Sequence, residues 1–100
     1  MSELHLSPEA EAELDDIWSY IARESGSIDI ATRAVESITE SFWLLARYPY
    51  LGRRRDEDLR PGLRSLAAGD YVVIYRIVNN VVLILHVMHG SRDIAALLDR

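Results

Sequence analysis

The chain has 100 residues, 49% hydrophobic and 27% charged, with a formal net charge of −5 and no cysteine. That length supports one hydrophobic core without covalent staples, and the missing thiols exclude disulfides, cysteine zinc sites and thiol nucleophiles. An acidic balance also fits poorly with binding naked nucleic acid, which relies on phosphate neutralisation.

The N-terminal stretch MSELHLSPEAEAELDD lacks the basic and apolar regions of a secretory signal. No apolar run approaches the roughly 20 residues that span a bilayer. The expectation is one soluble domain over residues 1–100, cytoplasmic and without membrane association. Charge is uneven: residues 1–50 hold three arginines against ten acids, and residues 51–100 hold eight arginines against six. Every basic residue is Arg, a bias that a GC-rich coding genome also produces.

In chain order, a short strand is expected around Glu3–Leu6. Ser7-Pro8-Glu9 then reads as an N-cap, a proline at the first helical position and an acid in the first turn. Ala10, Leu14, Ile17, Trp18 and Ile21 form an amphipathic stripe, leaving Glu9, Glu11, Glu13, Asp15 and Asp16 as a solvated face. Ser25-Gly26 ends this helix, since Gly supplies a left-handed cap. A second helix is expected from Ser27 or Asp29 to Arg47 or Tyr48, with Ala31, Ala34, Val35, Ile38, Phe42 and Leu45 inward. Trp43 and Leu44 are expected to widen that stripe, and Trp18, Phe42 and Trp43 to pack in the core. So short a connection predicts an antiparallel helical hairpin.

Pro49–Gly62 reads as a charge-dense loop in which Arg53, Arg54 and Arg55 meet Asp56, Glu57 and Asp58. Leu63–Ala67 is a predicted strand, turned by Ala68-Gly69-Asp70 into a long hairpin. Its arms, Tyr71–Val78 and Val81–Val87, flank Asn79-Asn80, residues that tolerate the positive φ of a type I′ turn. With Val78 opposite Val81, one face carries Val72, Ile74, Arg76 and Val78 against Val81, Leu83, Leu85 and Val87. The other carries Tyr71, Val73, Tyr75 and Ile77 against Val82, Ile84, His86 and Met88. Ser91 or Asp93 then caps a short helix with Ile94, Leu97 and Leu98.

The order is strand–helix–helix–strand–strand–strand, an α+β fold with a helical hairpin packed on a small, mainly antiparallel sheet. Both hairpin faces are apolar, and two helices cover only one. The side bearing Arg76 is expected to stay open and to take a partner chain. The free chain is accordingly expected to self-associate. Candidate contact residues are Arg64, Val72, Ile74, Arg76, Leu83, Leu85 and Arg92, with the three arginines as an anion site if they converge.

Catalytic and cofactor signals are weak. His86 and His89 stand three apart on a strand, leave opposite faces and cannot share an ion. His5 is isolated, and Gly26, Gly52, Gly62, Gly69 and Gly90 build no phosphate loop. No catalytic residue, metal ligand or cofactor site is assigned.

LSPEAEAELDDIWSYIA, LARYPYLGR, LRPGLRSLAAGDYVVIYRI and HVMHGSRD together resemble the ParE branch of the RelE/ParE superfamily of type II toxins, from Leu6 to about Leu98. The resemblance implies a toxin neutralised by a cognate ParD-like antitoxin, with a ribbon-helix-helix head and a disordered C-terminal tail. It implies DNA gyrase as the target, reached by binding, while the acidic balance of the chain leaves no direct nucleic-acid binding expected of the toxin alone. The sister RelE branch cleaves messenger RNA on the ribosome. Its members place an arginine after the tyrosine that opens the penultimate strand, where this chain has Val72. Their C-terminal aromatic is missing from Ile94-Ala95-Ala96-Leu97-Leu98, and only Arg92 matches a cleft arginine. The alternatives are a ribosome-dependent mRNA endonuclease and a non-toxic antitoxin-binding module.

Overall fold

The computed structural model describes residues 2–98. Its elements are β1 (Glu3–Leu6), α1 (Pro8–Ser25), α2 (Ile28–Arg47), β2 (Arg53–Arg54), β3 (Arg64–Ala68), β4 (Tyr71–Val78), β5 (Val81–His89) and α3 (Ile94–Leu98). Local chemistry sets the helix ends. Ser7 Oγ accepts from the Ala10 N–H at 3.0 Å, and Gly26 closes α1 at φ +68°. Ser27 caps α2 by accepting from Ile30 at 3.2 Å. Trp18 Nε1 donates to Thr32 Oγ1 at 3.2 Å and ties the two helices together.

The five strands lie in the order β1-β5-β4-β3-β2. All neighbours are antiparallel except β1, which pairs parallel with β5. Parallel pairing needs a crossover, and the rest of the chain supplies it. The expected α+β architecture is therefore present, with a two-residue strand, β2, added from the charged loop. The helices cover one face: Ala10, Leu14, Ile38, Phe42 and Leu45 pack on Val73, Tyr75, Val82, Ile84 and Val87.

Asn79 and Asn80 take φ of 50° and 63°, and Val78 pairs with Val81, as the tight turn requires. The register holds as far as Tyr75↔Ile84 and then slips, because Leu85 is bulged out and Ile74 pairs with His86. The expected facing of the outer half of β5 is thus corrected. Val87 turns to the helices opposite Val73, while Met88 moves to the far face opposite Val72. The physical cause lies at the β1–α1 junction. Ser7 donates to the Leu85 carbonyl at 2.7 Å, and the Val87 N–H donates to Glu13 Oε1 at 3.0 Å, just past the end of β1. Glu13 also contacts His86 Nδ1 at 3.2 Å, so it caps an open strand edge and does not belong to the solvated face.

Two further expectations change. Trp43 and Leu44 are 64% and 44% exposed, because they straddle the side of α2 opposite Ile38, Phe42 and Leu45. The far face of the sheet is also half covered by the chain itself. Arg55 Nη1 donates to Ser65 Oγ at 2.9 Å and Arg76 Nη2 to the Pro61 carbonyl at 3.3 Å, drawing the loop across that face. Arg60 of the same loop donates to the Leu98 carbonyl on α3. Ile74 is fully buried and Met88 nearly so on this face.

Candidate partner-binding surface

What remains open on the far face is a strip of Val72, Arg76, Val81, Leu83 and Leu85, each half-buried, ending in exposed Val78. Strand alternation puts Val72, Arg76, Val78, Val81 and Leu83 away from the helices, and the bulged Leu85 follows them in the chain just before His86, which pairs with Ile74. Arg76 stands directly across from Leu83, so its guanidinium lies at the rim of an aliphatic floor. Of the candidate contact residues, Val72, Arg76, Leu83 and Leu85 share this face with accessible side chains. Ile74 shares the face but has no exposed surface.

The arginines do not converge. Arg64 pairs with Tyr75 and so leaves on the helix side, opposite to Arg76. Its Nη1 donates to the Gly52 carbonyl at 2.8 Å, and the guanidinium lies 5.1 Å over the Tyr50 ring. Arg92 is exposed beyond β5, its backbone N–H donating to the His89 carbonyl at 3.1 Å.

A second accessible surface, with no role expected from the sequence, lies at the end of α2. Trp43, Leu44, Tyr48, Tyr50 and Leu51 are all 44% exposed or more at the end of α2 and in the turn after it. The turn is held from below by the core. Tyr75 Oη donates to the Pro49 carbonyl at 2.7 Å and accepts from the Gly52 N–H at 2.9 Å. The dense run of large apolar residues around Pro49 was the available signal; their apolar character suggested a core role for Trp43 and Leu44, although at 3.6 residues per turn they lie opposite Ile38, Phe42 and Leu45.

Burial raises the Tyr75 phenol above its ordinary 10.0, outweighing the lowering by the Gly52 N–H and Arg64. The unfolded phenol ionises first, so stability is full below pH about 10 and falls as pH rises through the folded-state value. Burial raises Tyr71 as well. Denaturant titrations from pH 8 to 11 should show this alkaline loss, and Tyr75→Phe should make it shallower.

Among the described residues, no three His, Cys, Asp or Glu side chains assemble into a metal site. His89 Nδ1 contacts Ser91 Oγ at 2.7 Å, but it also accepts the Ser91 N–H at 3.1 Å as part of the turn closing β5. The concavity beside β2 is a charged notch lined by Arg54, Asp56, Gly62, Leu63 and Arg64. Asp56 there accepts from Gly62 at 2.8 Å and pairs with Arg54, which together hold its carboxyl below the ordinary range. Its charges answer one another within the chain, and the accessible apolar surface lies elsewhere.

This helical hairpin on a five-stranded sheet with a parallel N-terminal strand is a fold shared with solved proteins of toxin–antitoxin systems. The P. aeruginosa chromosomal ParDE system superposes with a TM-score of 0.78 at 25% identity, covering 89% of this chain and 96% of that one. Toxin ParE1 of Caulobacter vibrioides is 36% identical over 96 residues, covering 96% of this chain and 97% of the relative. Toxin ParE1 of Mycobacterium tuberculosis is 32% identical over 90 residues, covering 89% and 90% respectively. Residues 4–94 match the family described as ParE toxin of type II toxin-antitoxin system, parDE. The chain belongs to that family of toxins.

Proposed function

We propose that this toxin arrests growth by binding DNA gyrase in the cytoplasm, without bond chemistry of its own. A ParD-like antitoxin, with a ribbon-helix-helix head and a disordered tail, silences it by laying that tail on the open half of the sheet. Capture of the tail is supported by the accessible strip of Val72, Leu83 and Leu85 beside Arg76. An aliphatic tail segment with an acidic residue fits such a floor and rim. Folding on contact suits a segment that is disordered when free.

The absence of an RNA-cleaving role is supported by residue types. Val72 occupies the position where the resemblance expects an arginine, and it lies half-buried opposite Met88. The closing helix α3 reads IAALL, without an aromatic acid or base. Of the cleft arginines that the resemblance expects, Arg92 alone is matched, which is poor support for stabilising a scissile phosphate and moving its proton.

Inducible expression of the isolated chain, read for DNA damage response, translation rate and message integrity, tests the reading. DNA damage with intact messages and continuing translation is expected, and Arg92→Ala should leave translation untouched. Cut messages with arrested translation, or normal growth, would each sink the gyrase assignment.

A further inference from the structure

The outward side of α2 has a pattern that neither the sheet nor the hairpin uses. Glu40, Trp43, Leu44 and Arg47 are all exposed and fall on consecutive outward turns of one helix. Trp43 and Leu44, 64% and 44% exposed, form an apolar centre. Glu40 lies one turn before it and Arg47 one turn after. Among the described residues neither charge has an ion-pair partner within the chain.

We infer that this ridge is a self-complementary docking surface whose occupant is a second copy of the same chain, its α2 running antiparallel. Placing the twofold axis at the midpoint of Trp43 and Leu44 sets residue 40 of one copy beside residue 47 of the other. The contact therefore forms two Glu40–Arg47 pairs around a shared Trp43/Leu44 centre. A parallel copy would set Glu40 against Glu40 and Arg47 against Arg47, so charge selects the antiparallel arrangement. Tyr48, whose N–H donates to the Leu44 carbonyl at 2.8 Å, extends the apolar rim at each end. The ridge lies on the opposite layer from the sheet strip, so self-association and capture of an antitoxin tail use different surfaces.

Sedimentation velocity of the purified full chain over a wide concentration range tests this, with circular dichroism to check folding. A dimer growing with concentration is expected. Glu40→Arg or Arg47→Glu alone should weaken it about tenfold, by bringing like charges together. The double swap Glu40→Arg/Arg47→Glu should restore it to within about threefold. Trp43→Ala removes only an exposed ring and should abolish the dimer with the fold retained. The proposal is overturned by a chain that stays monomeric at its solubility limit, or by a dimer indifferent to these changes. It is equally overturned by single-swap losses that the double swap does not repair, or by Arg47→Glu weakening antitoxin binding while the dimer persists.

Discussion

Ile74→Asp is expected to unfold the protein, whereas Leu83→Asp, on the same face of the sheet, is expected to fold and lose its partner. Ile74 has no exposed surface and pairs with Ser65 on one side and His86 on the other. The loop held by Arg55 and Arg76 keeps that region dry. A carboxylate there forfeits about 2 kcal/mol of apolar burial and adds the cost of a buried, unpaired charge. A loss of about 4–5 kcal/mol or more matches much of the stability of a domain this size. Leu83 is half-buried and stands opposite Arg76, which gives a new carboxylate a cation to meet across the strands. Leu83→Asp should therefore cost about 1 kcal/mol in stability and weaken antitoxin binding tenfold or more through loss of a central apolar contact. Urea melts and titration with the antitoxin read both effects. An Ile74→Asp protein that melts like wild type would show that the loop does not cover this face.

Gly52→Ala should be nearly as damaging for the opposite reason, too much matter in a full space. A methyl at Gly52 would stand 2.4 Å from Tyr75 Oη, 2.6 Å from Tyr75 Cε1 and 2.8 Å from the Ser65 carbonyl oxygen. The tyrosine ring is fixed in the core and its hydroxyl is engaged at both Pro49 and Gly52, so it has nowhere to swing. The Ser65 carbonyl belongs to the sheet backbone. Overpacking on this scale costs about 2–4 kcal/mol, which lowers Tm by roughly 10–20 °C for a chain of this length. Tyr75→Phe alone leaves the Gly52 N–H without its acceptor, at about 1–3 kcal/mol. The two changes should couple, because removing the hydroxyl removes the shortest of the three clashes. In a Tyr75→Phe background Gly52→Ala should cost about 1 kcal/mol less. Strict additivity would mean that the turn moves away from Tyr75 and not the reverse. The turn also presents Tyr48, Tyr50 and Leu51, so both substitutions test whether the exposed aromatic surface depends on a core residue.

Much of the fold was legible because it rests on short-range chemistry. Ser7, Pro8, Gly26 and Ser27 state the helix ends by capping, and Asn79-Asn80 states the turn by its tolerance of positive φ. The order of elements, with the likeness over Leu6–Leu98, indicated the toxin family. The candidate surface was only partly legible. Val72, Arg76, Leu83 and Leu85 fall on the expected open face, but Ile74 is under cover and Arg64 is on the other side.

The sequence by itself determined the two long helices with their caps, the tight turn at Asn79-Asn80 and the two apolar faces of the hairpin, while Arg76 only inclined one side of β4 toward the open face. Those features depend on residues within a turn or two of one another. Tertiary structure alone decided the bulge at Leu85, since it arises where Ser7 and Glu13 take over the strand edge that β1 leaves. It also decided the burial of Ile74. Each depends on which distant segment, the Arg55–Leu63 loop, α3 or α1, comes to lie beside it, and periodicity along one element carries no information about that.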